Sequence, residues 1–176
     1  MLIKAQDSCL VVIDMQERLV PAMQAPARTI RNTRVLIQAA TRLGVPVMLT
    51  EQYPRGLGAT VKEIASVAKG HPVYEKMHFS CIEDEVFAKA FAATGRHQAV
   101  ITGMEAHICV MQTAAQLMEK GHDVFVVTDA TSSRSLESEK ACLDRLQAIG
   151  AGIVTTEMVV FEWLGRAGTE AFKELL

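Results

Sequence analysis

No sign of charge dominates this chain: 18 basic and 20 acidic side chains over 176 residues leave a net charge of −2. The missing basic excess removes the electrostatic footprint of a nucleic-acid-binding or membrane-surface protein. No apolar run approaches the roughly 18–20 residues that cross a bilayer. Met1 to Asp7 lack the basic segment, apolar stretch and small-residue cleavage site of a secretory leader. The cysteines, Cys9, Cys81, Cys109 and Cys142, form no C-x-x-C pair and no zinc-type spacing. The histidines, His71, His78, His97, His107 and His122, form no H-x-H or H-x-x-x-H pair, so no histidine metal site is expected. Internal repeats, low-complexity segments and charge blocks are absent too. What remains is a chain 49% hydrophobic and 22% charged, enough for a sizeable core and too apolar for intrinsic disorder. Its length suits one domain over 1–176, and its scattered thiols suggest a reducing, cytoplasmic setting.

The apolar pattern alternates between two periods. Cys9-Leu10-Val11-Val12-Ile13 is a short continuous apolar run closed by Asp14, as in a strand buried on both faces. Residues 27–43 then place Leu36, Ala39, Ala40 and Leu43 on one helical stripe, with Gly44 as the stop and Pro46 beyond it. Further strands are predicted at 45–50, 73–76, 98–103, 123–129 and 152–156, with a long polar loop over 51–60. Helices are predicted at 83–94, from about 108 to 118, at 135–149, and in turns running to Leu176. Strand and helix alternating six times give an α/β fold: a doubly wound six-stranded parallel sheet with helices on both faces. A closed eight-stranded barrel needs about 250 residues.

Open parallel sheets bind ligands beyond the carboxyl ends of their strands. That rim collects Asp14 and Gln16 after the first strand and Glu51 after the second. Lys76, His78, Ser80 and Cys81 follow the third, and Glu105, His107 and Cys109 the fourth. Asp129, Ser132, Ser133 and Arg134 follow the fifth. Cys109 falls in the first turn of a helix, where the dipole and free N–H groups favour thiolate and could bind a developing oxyanion. Lys76 would lower that thiol further, and Asp14 could take its proton or orient the lysine. Each residue also has a plain structural reading. A cysteine on an apolar helix is ordinarily core, an aspartate ending a strand often caps a turn, and a strand-end lysine is often solvated. Cys9 and Cys142 read as core, and Cys81 could line the site.

Three segments together resemble the isochorismatase-like cysteine hydrolases: Val11-Val12-Ile13-Asp14-Met15-Gln16, Glu75-Lys76-Met77-His78-Phe79-Ser80, and Ile101 through Val110 with Gly103 and Cys109. Glu51-Gln52-Tyr53-Pro54-Arg55-Gly56-Leu57-Gly58 is similar to the small single-domain members. The resemblance covers nearly the whole chain in order. It implies strand order 3-2-1-4-5-6 and a catalytic triad of Asp14, Lys76 and Cys109. It also implies an oxyanion hole from the N–H groups of Glu105 and Cys109, and a cis peptide between Met104 and Glu105. Gln16, Tyr53, Ser80, His107 and Glu105 become the candidate oxyanion-hole or substrate-binding residues. In amidase members the cysteine attacks a carbonyl and a thioester is hydrolysed.

Two departures narrow the expected chemistry. Nicotinamidases of this family hold a divalent metal through an aspartate and histidines after the second strand, whereas this loop has no histidine before His71. Isochorismate-cleaving members commonly lack the cysteine, which is present here. The expectation is therefore a metal-independent, cofactor-free cysteine hydrolase of a small molecule, acting at an amide-type C–N bond. The rivals are an isochorismate-like ether hydrolase and an inactive binding protein of the same fold. The resemblance also implies a homo-oligomer, while the charge balance and the lack of a long apolar run point to no nucleic-acid or membrane partner.

Overall fold

The computed structural model describes all 176 residues. Six strands form one sheet: β1 (Ser8–Ile13), β2 (Val47–Gln52), β3 (Val73–Lys76), β4 (Gln98–Met104), β5 (Asp123–Ser132) and β6 (Gly152–Val154). Their order is β3-β2-β1-β4-β5-β6, and every neighbouring pair is parallel. The central strands β1 and β4 are buried along their whole length, which is why β1 reads as an apolar run from Cys9 to Ile13 and β4 centres on Ala99-Val100-Ile101.

Side-chain alternation along β1 divides the core into two layers. Leu10 and Val12 face Leu36 and Ile37 of α1 (Pro26–Leu43) and Val159, Val160 and Trp163 of α7 (Thr156–Leu164). Cys9, Val11 and Ile13 face the opposite layer. There lie Phe87 and Phe91 of α4 (Glu85–Ala93), Ala114 and Leu117 of α5 (Met111–Glu119), and Leu146 of α6 (Leu136–Ala148). Each large aliphatic or aromatic side chain so buried contributes about 1.5–3 kcal/mol. Gly44 ends α1 in the left-handed region at φ 70°, and its N–H caps the carbonyls of Ala40 and Thr41.

The strands differ from their sequence expectation at the carboxyl ends. β2 continues through Gln52, because Glu51 and Gln52 pair with Glu75 and Lys76 of β3. β5 continues past Asp129 to Ser132, because Thr131 and Ser132 pair with Gly103 and Met104. The polar segment after β2 folds into a short helix, α2 (Pro54–Leu57), followed by α3 (Lys62–Val67). In α3 only Ile64 is buried, so no apolar stripe announces it. A last helix, α8 (Glu170–Leu175), has no buried residue. The apolar segment near the C-terminus belongs to the core: Val159, Val160 and Trp163 are buried, and the Trp163 indole donates to Ser8 Oγ at 3.0 Å.

Candidate active site

The switch point of the sheet lies between β1 and β4, where the winding reverses; sheets of this kind bind ligands beyond the strand ends at that point. β1 delivers Asp14 one residue past its end, in the left-handed region at φ 50°. That region is unfavourable for most side chains, but aspartate tolerates it. β4 approaches β1 very closely here. A Cβ on Gly103, itself at φ +115°, would lie 2.0 Å from the Ile13 carbonyl oxygen. Beyond β4 the Met104–Glu105 peptide is cis, as the resemblance implied. A π-helical turn (Ala106–Val110) then runs directly into α5 and carries Cys109.

Lys76, the last residue of β3, reaches across the end of β2, and its Nζ lies 2.9 Å from Asp14 Oδ2. Its remaining neighbours are Gln52 Oε1 at 2.5 Å, Phe79 O at 3.0 Å and His78 O at 3.2 Å. Oxygen therefore surrounds the ammonium, which suits its three protons. Burial works against the charge, but Asp14 and the nearby thiols outweigh it and hold the Lys76 pKa above the ordinary lysine value. Asp14 Oδ1 accepts a hydrogen bond from Thr50 Oγ1 at 2.8 Å. Oδ2 faces the ammonium but has no aligned hydrogen-bond donor.

Cys109 completes the group: its thiol is influenced by Asp14, Lys76 and Cys81. The expectation of a standing thiolate is not met. Burial pushes the thiol above its ordinary range, Asp14 pushes the same way, and Lys76 only partly opposes them. The resting arrangement is thus a neutral thiol beside an aspartate–lysine ion pair. Asp14 is fully buried, Lys76 is 2% exposed and Cys109 6%, so only a small group reaches the sulfur. Surface hollows of about 380 Å³ lie elsewhere and are lined by other residues.

The remaining candidates fall into two groups. Glu105 and His107 flank Cys109 on its own turn. Glu105 Oε2 accepts from Arg134 Nε at 3.0 Å and from the Arg134 backbone N–H at 3.2 Å, while His107 Nδ1 lies 2.9 Å from Ser133 Oγ. Both side chains therefore tie the loop after β5 to the turn that holds the thiol. Gln16 is fully engaged: its Nε2 donates to the carbonyls of Gln52 and Gly58, and its Oε1 accepts from the Gln52 N–H. Tyr53 is half-exposed, at φ 38°, and its N–H donates to the Lys76 carbonyl. The Ser80 hydroxyl is committed elsewhere, donating to Gln116 Oε1 at 2.6 Å and accepting from the Ile82 N–H.

Three rim residues serve the scaffold instead. Glu51 accepts from the N–H and hydroxyl of Thr60, both at 2.7 Å. Asp129 lies within β5, and its Oδ1 accepts from the N–H and hydroxyl of Thr156. Cys81 is completely buried, 4.0 Å from Thr50 Oγ1. Sequence reasoning passed over Thr50 and Gln52. Ending β2 at Thr50 hid them, whereas an extended strand through 52 puts residues 50 and 52 on one face. Across the molecule, no three His, Cys, Asp or Glu side chains are arranged to hold a metal ion.

Residues 8–158 match the Isochorismatase domain family. The chain is 37% identical over 162 residues to isochorismatase domain-containing protein 1 of Salmo salar, covering 92% of this chain but 57% of that longer protein. Among solved structures it is similar to the MAR1 ribonuclease of Caenorhabditis elegans, with TM-score 0.92 and 33% identity over 99% of this chain and 90% of that one. It is also similar to the Escherichia coli YcaC gene product, described as an octameric hydrolase of unknown specificity. There the TM-score is 0.93 and the identity 26%, covering 99% of this chain and 89% of that one. Parallel strand order and sequence together place this chain in the isochorismatase family.

Proposed function

We propose that this protein is a metal-independent cysteine hydrolase that cleaves a small molecule at an amide-type C–N bond through a thioester. The observation that carries the reading is the buried meeting of three side chains from distant segments: the Asp14–Lys76 pair at 2.9 Å, with the Cys109 thiol under the influence of both. Core packing gives no reason to bury an ion pair, which costs several kcal/mol of desolvation per charge before its partner compensates.

The chemistry follows from the protonation states. Asp14 takes the thiol proton as sulfur adds to the substrate carbonyl carbon. The N–H groups of Glu105 and Cys109 receive the resulting oxyanion. The C–N bond then breaks, the amine leaves with the proton held by Asp14, and a thioester remains on Cys109. Asp14 next deprotonates a water that attacks the thioester, releasing the acid and restoring the thiol. Lys76 stays protonated throughout and balances the charge of the Asp14 carboxylate beside it. Substrates are small because the sulfur is almost closed off. Self-association is part of the proposal, supported by the octameric description of YcaC and by Tyr53, Met77 and Phe79 standing exposed around Lys76.

The test is a panel of small amides and ureido compounds assayed with the wild type and Cys109→Ala, with and without EDTA. Hydrolysis that survives chelation and is lost in Cys109→Ala supports the reading. Activity lost on chelation and restored by a divalent ion refutes the metal-independent mechanism.

A further inference from the structure

We propose that Thr50 is a positioning residue for Asp14, fixing the carboxylate so that Oδ2 is the oxygen that takes the Cys109 proton. The inference rests on the cysteine-hydrolase reading above. Thr50 grips Asp14 at two points. Its carbonyl accepts from the Asp14 N–H at 3.2 Å, and its hydroxyl donates to Asp14 Oδ1 at 2.8 Å. The first contact steadies a backbone in the left-handed region, at φ 50°. The second makes the two carboxylate oxygens different.

Oδ1 receives the only hydroxyl proton that Thr50 has. Oδ2 has the Lys76 charge 2.9 Å away but no aligned donor, because Gln52 Oε1 and the carbonyls of His78 and Phe79 also draw the ammonium protons. A lone pair on Oδ2 is therefore open. Both partners are sealed from solvent, Thr50 at 1% exposure and Asp14 at 0%, so water cannot replace the hydroxyl freely. Cys81 Sγ, 4.0 Å from Thr50 Oγ1, fills the other side. Without the hydroxyl, the carboxylate can rotate and exchange its oxygens.

The experiment measures alkylation of Cys109 by iodoacetamide. In this step the S–H proton passes to Asp14, the sulfur electron pair forms the new S–C bond, and iodide departs with the C–I pair. Rates at Cys109 are followed by peptide mass spectrometry near neutral pH, alongside the thermal midpoint of each variant. Cys142 serves as the internal reference. Thr50→Val keeps the shape and removes the donor, whereas Thr50→Ser keeps the donor. The Val variant slows Cys109 by about tenfold, the size of one hydrogen bond to a charged group. The Ser variant restores the rate, and Cys142 is unaffected. A merely structural threonine would lower thermal stability and leave the Cys109 rate in place. Val behaving like wild type in rate, or Ser behaving like Val, overturns the inference alone. Wild-type Cys109 reacting no faster than Cys142 overturns the cysteine-hydrolase reading, and the inference with it.

Discussion

At the scale of single residues, the site is an ion pair that the fold must protect. Lys76 and Asp14 are both removed from water, so each is tolerable only because of the other. Lys76→Met leaves a buried carboxylate with a hydroxyl and no cation. Denaturant unfolding of that variant should show a loss of about 3–5 kcal/mol, the range for breaking a buried pair by removing one partner. Removing both charges, in Asp14→Asn with Lys76→Met, should recover part of the loss. A Lys76→Met protein as stable as wild type would contradict the geometry described. Cys109 shows where local sequence reasoning stopped short. Its place on a helix-entry turn is plain in the sequence and argues for thiolate. The opposing burial and the Asp14 charge come from strands far away in the chain and emerge only on folding.

At the scale of elements, β1 and β4 must touch for the site to exist. Gly103 permits this, because any Cβ there would strike the Ile13 carbonyl just before Asp14. Gly95 is a useful contrast: it too has positive φ, at +66°, but nothing stands within 4 Å of its Cβ position. Gly95→Ala should cost about 1–2 kcal/mol, the left-handed penalty alone. Gly103→Ala should cost clearly more and should slow Cys109 alkylation as well, since it displaces the end of β1. Equal thermal shifts for the two variants would show that the close approach is unimportant. The central strands were legible because buried parallel strands carry apolar runs, as Cys9 to Ile13 does, whereas the strand order was implied only by the family resemblance. The strand ends were not. Glu51, Gln52, Thr131 and Ser132 are polar, and their extended conformation is imposed by neighbouring strands. That is why Thr50 and Gln52 escaped notice, while Asp14, Lys76 and Cys109, fixed by motif, did not.

At the scale of the whole molecule, buried thiols set the alkaline limit of stability. Cys9, Cys81 and Cys142 are pushed from the ordinary thiol value of 9.0 up to about 12, chiefly by burial. The folded state thus binds these protons more tightly than the unfolded state, so stability falls as pH climbs from about 9 toward about 12. Lys76 adds to the same trend, because its raised pKa makes the ion pair fully effective below the ordinary lysine value and lost as pH rises through the folded one. Thermal midpoints should be level near neutrality and decline above about pH 9, with a shallower decline in Cys142→Ala. A midpoint that rises over that interval would contradict the burial of these groups. The central claim, covalent catalysis by Cys109, is tested most directly by acid-quenching the enzyme during turnover of an amide found in the panel and weighing the intact protein and its peptides. The account predicts a mass increase equal to the acyl group, located on the peptide carrying Cys109 and removed by hydroxylamine. Turnover with no such adduct, at a rate unchanged in Cys109→Ala, would contradict it.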